Sequence, residues 1–384
     1  MPSMEQCPEI REEIRKLCRK YPDEYWRKLD KDDEYPEHFV QELTDAGWLA
    51  ALIPEQYGGS GLTVREASVI LEEVNRSGGN AAACHAQMYI MGALLRHGSD
   101  EQKARYLPKI ASGDIRLQAF GVTEPNAGSD TTQLETFARR DGDYYIVNGA
   151  KIFISRVQHS DMMLLLARTT PAAECPKKTL GLSVFLVDLQ QAGDAVEVRK
   201  IDAMINHETN QLFFHDLKIP KANLIGEENR GFYYILDGMN AERILVAAES
   251  IGDARWFIDR AVKYGKERVI FGRPIAQNQG IQFPLAQAYA QTEAADLMRF
   301  QAAELFDTSQ ACGPEANMAK LLCAQAAWAA ANAALDTHGG YGFAAEYDVE
   351  RKFRECRLFS IAPISNNMVL NYVAEHVLGM PRSY

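Results

Sequence analysis

The sequence predicts an α+β fold of three consecutive domains, helical, then strand-rich, then helical again. Three observations carry this. Apolar residues recur at helical spacing through roughly the first hundred positions. The period falls to two from Leu117, and helical spacing returns after Gly231 and continues almost to the end. A block of strands between two blocks of helices builds an α+β chain, not an alternating βαβ one. The predicted domains are 1–117, 118–227 and 228–384.

Taken in order, Val40, Leu43, Ala46, Leu49 and Leu52 recur at near-helical spacing, as do Ile90, Ala93, Leu94 and His97. Gly58-Gly59-Ser60-Gly61 and Gly78-Gly79-Asn80 mark breaks between helices. Predicted strands are Gln118–Val122, Tyr144–Val147, Lys151–Ser155, Met162–Ala167, Ser183–Asp188, Val196–Lys200 and Gln211–Leu217. Asn148-Gly149 has the form of a hairpin turn between the second and third of these. The late helices include an alanine-rich run from Met318 to Leu335. Its small side chains permit close helix approach, within one chain or between copies.

A chain of 384 residues, 47% hydrophobic, buries a large core. The net charge of −11, with no compensating basic stripe, argues against nucleic acid as a partner. No apolar run approaches the roughly 20 residues that span a bilayer, so no membrane association is expected. The first residues lack the apolar core of a signal peptide, and a cytoplasmic location is expected. Seven cysteines without a Cys-x-x-Cys pair point to reduced thiols. The eight histidines are dispersed, and no metal is predicted.

The stretch from Phe120 to Ser155 is the most informative. Pro125 and Gly128 punctuate a tight loop that leaves N–H groups near Thr123 and Ser129 free for ligand oxygens. Phe153 and Ser155 lie two apart on a predicted strand and so share a face. An aromatic ring there can stack on a flat cofactor while the hydroxyl reaches a heteroatom. Taken alone, the loop reads equally well as a surface turn before an amphipathic strand.

Together, Thr-Glu-Pro-x-Ala-Gly-Ser-Asp and Asn-Gly-x-Lys-x-aromatic-Ile-Ser resemble the flavin site of the acyl-CoA dehydrogenase family. The resemblance runs from about Tyr35 to the C-terminus and includes Pro54-Glu55-Gln56-Tyr57-Gly58-Gly59, Ile219-Pro220, Gly226-Glu227 and the Arg268 to Gly272 segment. It implies an N-terminal helical domain, a middle β-barrel-like domain and a C-terminal four-helix bundle. It also implies FAD as cofactor, a homotetramer (a dimer of dimers), and an electron-transferring flavoprotein as electron acceptor. On the flavin side it implicates Phe120, Val122, Thr123, Gly128, Ser129, Phe153, Ile154 and Ser155. Phe153 and Ser155 stand where tryptophan and threonine are commoner.

For the nucleotide half, bound mainly by a neighbouring subunit, the resemblance implicates Arg268, Phe271, Gln279, Asp336, Gly339 and Gly340. Asp336 stands where glutamine is frequent, and Ser365 and Asn367 match a Thr-x-Gln pair. No Gly-x-Gly-x-x-Gly lies between a strand and a helix, so a Rossmann site is not indicated.

The family's reaction removes the α-proton of an acyl-CoA thioester while the β-hydride passes to flavin N5, giving the trans-2-enoyl-CoA. It requires a carboxylate at the α-carbon and donors at the thioester oxygen. Many members carry the glutamate in a late Glu-Gly-Thr loop. Here that segment is Ile361-Ala362-Pro363-Ile364-Ser365, and Pro363 occupies the place of the base. The isovaleryl- and long-chain types place it on a helix before an arginine, matched by Asn240-Ala241-Glu242-Arg243. The resemblance therefore implies Glu242 as base and Asn240, Arg243 and Ser129 as substrate contacts. A surface Glu–Arg pair is the plainer reading of the same residues. Proline also lacks the N–H that binds the thioester oxygen. That keeps an acyl-CoA oxidase, or a desulfinase- or reductase-like acyl-CoA flavoprotein, as alternatives.

Overall fold

The strand-forming residues between 117 and 225 build one mixed eight-stranded sheet in the computed structural model, which describes residues 6–383. The order is Val196–Lys200, Thr209–Pro220, Tyr144–Ser155, Phe137–Asp141, Met162–Arg168, Leu182–Asp188 and Leu224–Ile225. Leu117–Gly121 adds in parallel to Met162–Arg168. A single residue pair, Phe137 with Arg168, joins the two halves. Tyr145, Val147 and Phe214 of one half share a buried cluster with Met163, Leu165 and Phe185 of the other. The sheet thus folds over on itself at that joint, giving the barrel-like middle domain expected from the sequence.

The alternate residues Leu164, Leu166, Val184 and Leu186 point the other way. They pack against Ile90 and Leu94 of the helix Ala82–His97 and Leu107 and Ile110 of the helix Asp100–Ser112. Burial on both faces explains why Met162–Arg168 reads as an unbroken apolar run and not as an alternation.

Two sequence expectations are corrected here. Asn148-Gly149 is not a hairpin turn: Tyr144–Ser155 is one continuous strand with a register shift between Val147 and Gly149. Glycine is required there for close approach, since a Cβ at its φ of +146° would meet Thr136 atoms, backbone Cα included, at 2.6–2.8 Å. Asn148 instead exchanges two 2.9 Å hydrogen bonds with Asp216 across the bulge. The hairpin turns earlier, at Gly142, after the strand Phe137–Asp141 that the pattern did not reveal. Second, the run Val40 to Leu52 is not one helix. Glu37–Asp45 ends before Gly47, whose φ of +78° breaks it, and Trp48–Ala50 is a single 3₁₀ turn.

The chain packs as two units, neither continuous in sequence: 33–62 with 82–239, and 1–32 with 63–81 and 240–384. In the second, residues from Gly231–Glu267 (from Asn240 onward), Gln279–Asp307, Gly313–His338 and Val349–Arg357 share one core, the expected helical bundle. Phe257, Leu285, Ala327, Ala330, Ala334 and Val349 lie within it. Alanine on Gly313–His338 lets the larger neighbours close in.

The helices Pro8–Cys18 and Val64–Arg76 join this unit through buried charges. Glu72 accepts from Arg11 and Arg299 at 2.8 Å each and pairs with Arg255, which also reaches Asp296 at 2.8 Å. Val64–Arg76 begins at a capping box between Thr63 and Glu66, which satisfies its first N–H groups.

Candidate active site

The strand Leu117–Gly121 delivers the chain into a tight turn in which the N–H groups and carbonyls of Glu124 and Ala127 bond reciprocally at 3.0 and 3.1 Å. Pro125 occupies the second turn position, where its fixed φ is favourable. Among the described residues, the N–H groups of Thr123 and Ser129 find no acceptor within the chain, as the sequence suggested. A Cβ added at Gly128 would meet nothing within 4 Å. The loop therefore presents backbone donors and open space.

Sequence reasoning missed what holds this loop. The Glu124 carboxylate is buried and accepts from the N–H of Glu135 at 2.7 Å, that of Thr136 at 3.0 Å and Lys151 Nζ at 2.7 Å. Lys151, with no exposure, also donates to the Val122 carbonyl at 2.9 Å. Burial pushes the Lys151 ammonium down to about 8, against the pull of Glu124. Burial would raise the Glu124 carboxyl, but Lys151 and the amide donors outweigh it and hold it below its ordinary value. Both residues lie inside the quoted motifs, so the signal was present.

Phe153 and Ser155 lie at the irregular end of their strand. The strand is irregular between Lys151 and Ile154, and Phe153 sits there at φ +60° with its side chain 64% exposed. Phe153 is exposed, Ile154 buried and Ser155 half-buried, so the alternation expected of the strand persists through the irregularity. A bulky residue at positive φ is unusual, and such strain gathers at functional sites. Ile154 is buried behind it, and Phe120 packs edge-on to Tyr89 at 5.7 Å. Ser155 Oγ accepts from Asn206 Nδ2 at 2.6 Å, leaving its own O–H to donate. Asn206, at φ +58° in the segment after Val196–Lys200, carried no sequence signal.

In the helical unit, Arg268 precedes a two-stranded hairpin of Val269–Ile270 with Arg273–Pro274. Phe271 stands at its tip, fully exposed at φ +52°. Arg268 lies 5.6 Å from the Tyr341 ring centre. Arg268, Ile270, Gly339, Gly340 and Tyr341 help line a cleft of about 580 Å³. Gln279, which begins the next helix, and Asp336 are exposed. Ser365 caps the helix Asn366–Tyr372, accepting from Met368 N–H at 3.3 Å, and Asn367 is exposed in its first turn. An arginine fork, two glycines and aromatic rings around a cleft fit a pyrophosphate-linked nucleotide. The open loop and the outward Phe153 fit a flat ring system, so the residues present accord with a dinucleotide flavin.

Glu242 is only 5% exposed, which removes the surface-pair reading. Arg243 donates from Nη1 to Asn240 Oδ1 at 2.9 Å, while its buried Nε finds no acceptor among the described residues. Burial pulls the Arg243 guanidinium below its ordinary value, with the Glu242 charge opposing. Beneath the Pro363 loop, buried Lys320 donates to the Ile364 carbonyl at 2.6 Å and Asn366 Oδ1 at 2.9 Å. Burial, then the charge of Arg243, pushes its ammonium down to about 8. A lone lysine in the alanine-rich run was the available clue to it. Among the described residues no group of three or more His, Cys, Asp or Glu could hold a metal ion, and no helix is long and apolar enough to cross a membrane.

Three family profiles match the chain: acyl-CoA dehydrogenase N-terminal domain over 4–114, middle domain over 119–217 and C-terminal domain over 229–378. The acyl-CoA dehydrogenase FadE12 of Mycobacterium tuberculosis is 35% identical over 378 residues, 98% of this chain and 96% of that protein. The caffeyl-CoA reductase-Etf complex subunit CarC of Acetobacterium woodii is 35% identical over 356 residues, covering 91% and 93%. The solved structure of butyryl-CoA dehydrogenase from Megasphaera elsdenii superposes with a TM-score of 0.89 at 29% identity, covering 98% of this chain and 100% of that one. With its loop donors, its exposed ring and its fold in place, the chain belongs to the acyl-CoA dehydrogenase family of flavin-dependent oxidoreductases.

Proposed function

We propose that this protein oxidises an acyl-CoA thioester to the trans-2-enoyl-CoA, with Glu242 removing the α-proton. The cofactor is FAD, which when bound supplies the two-electron acceptor for the β-hydrogen. The observation that carries the reading is Glu242 itself, a carboxylate kept from water on the helix Gly231–Glu267 where Pro363 has displaced the commoner loop base. A desolvated carboxylate is a stronger base towards a weak carbon acid than a hydrated one.

Asn240 and Arg243 bind the coenzyme A portion, Arg243 with N–H groups that Asn240 leaves unused. Ser129 N–H and side chain serve the substrate entrance, and the donors of the 123–129 loop and Ser155 O–H serve the flavin edge. Pro363 offers no N–H to the thioester oxygen. The N–H of Ile364 has no acceptor among the described residues and supplies the replacement. Arg268, Phe271, Gln279, Asp336, Gly339, Gly340, Ser365 and Asn367 hold the nucleotide half of FAD belonging to another copy. Exposed Phe271, Leu297 (72%) and Phe343 (75%) support such assembly into a homotetramer. The acceptor is an electron-transferring flavoprotein, a reading supported by the Etf partnership in the name of CarC.

A second reading is reduction of a 2-enoyl thioester, Glu242 then returning the proton. The reductase name of CarC and the loss of the loop glutamate favour it. The test is anaerobic. Saturated acyl-CoAs that bleach the flavin support dehydrogenation. Reoxidation of reduced enzyme by 2-enoyl-CoAs, with no bleaching by any saturated thioester, supports reduction.

A further inference from the structure

We propose that Lys151 is a positioning residue for the flavin site, an inference that rests on the FAD reading above. Its ammonium group fastens the flavin loop to the strand that carries Phe153. Nζ lies 2.9 Å from the Val122 carbonyl and 2.7 Å from Glu124 Oε1, with no exposure to water. Glu124 passes the constraint on, accepting from Thr136 N–H with the same oxygen and from Glu135 N–H with the other. Next to Lys151, Ile152 N–H donates to the Thr123 carbonyl at 2.9 Å. Three separate segments thereby converge on one buried ion pair.

Besides this pair, the loop is held by the Glu124–Ala127 backbone bonds and by buried Ala127. Gly128 borders open space, and among the described residues the Thr123 and Ser129 N–H groups have no acceptor. Their direction is set through Glu124, by its side chain on Lys151 and by its backbone bonds to Ala127. On the strand side, the irregularity that holds Phe153 at φ +60° begins at Lys151. Anchoring Nζ fixes where that bulge starts. A buried ion pair is weak evidence for stability, because desolvation offsets most of its attraction. Its value here lies in geometry, since donors aimed in advance need no reordering when ligand arrives.

The experiment titrates FAD into apoprotein of wild type, Lys151→Met and Lys151→Arg, following flavin fluorescence and the visible spectrum. Lys151→Met is expected to raise the FAD Kd by about tenfold or more, equivalent to about 1.4 kcal/mol, and to blur the band structure of bound flavin. Lys151→Arg, able to reach both acceptors, is expected to stay within about threefold of wild type. A Lys151→Met protein with wild-type Kd and spectrum overturns the proposal, even if its apoprotein melts earlier. Should Lys151→Met prove insoluble, Glu124→Gln decides: weaker FAD binding supports the frame and unchanged binding overturns it. Wild-type apoprotein that takes up no FAD overturns the parent reading, and this inference with it.

Discussion

At Phe153 the strand alternation was legible in the sequence and the backbone conformation was not. Ring and hydroxyl were expected on one strand face, and Phe153 is exposed, Ser155 half-buried and Ile154 between them buried. Phe153 nonetheless sits at φ +60° within a register irregularity, and no period-two pattern encodes a bulge. Phe153→Gly separates strain from stacking. Relief of the left-handed conformation, about 1–2 kcal/mol, is largely offset by the greater freedom of glycine when unfolded, about 0.5–1 kcal/mol. Apoprotein stability should therefore change by less than about 1 kcal/mol in urea unfolding, while the FAD Kd rises about three- to tenfold from the lost ring contact. Glu124, Lys151 and Lys320 escaped attention because charged residues default to the surface in sequence reasoning. Their burial follows from which segments meet, and that is a property of the tertiary fold.

At the scale of elements, legibility followed how faithfully each segment obeys one period. Val196–Lys200 was located to the residue because it alternates, and part of the helix Ala82–His97 was legible from Ile90, Ala93, Leu94 and His97. Phe137–Asp141 was invisible because Phe-Ala-Arg-Arg-Asp carries one apolar pair and then charges. Asn148-Gly149 misled because Asn-Gly suits a bulge as well as a turn. Gly149→Ala tests that correction. A methyl against Thr136 backbone is expected to destabilise by about 1–3 kcal/mol, read as a lower urea midpoint at unchanged slope. Val64–Arg76 buries apolar side chains and, among them, a cluster of charges around Glu72. Burial opposes ionisation of Glu72, but Arg299, Arg255 and Arg11 overcome it and hold the carboxyl at about 2. Because that value lies below the unfolded one, the stabilisation is complete above roughly pH 4.3 and is lost as pH falls towards about 2. Glu72→Gln should lose about 3–5 kcal/mol at pH 7. The gap from wild type should close as unfolding is measured at successively lower pH across that window.

For the whole molecule, the order of helical, strand-rich and helical segments was legible from periodicity, and ordered motifs gave the family. The grouping of 1–32 and 63–81 with the C-terminal helices was not, because contacts such as those of Arg11 and Arg299 with Glu72 join residues far apart in sequence. The account of function places its weight on one buried carboxylate. Its most direct test is anaerobic mixing of FAD-loaded wild type and Glu242→Gln with straight, branched and aromatic acyl-CoAs, following the visible flavin band. The account predicts that some saturated thioester bleaches the wild type, and that Glu242→Gln, with equal FAD content, is slower by about 10²–10⁴-fold. Bleaching of Glu242→Gln at a rate within about threefold of wild type would contradict it, because another group would then be taking the proton.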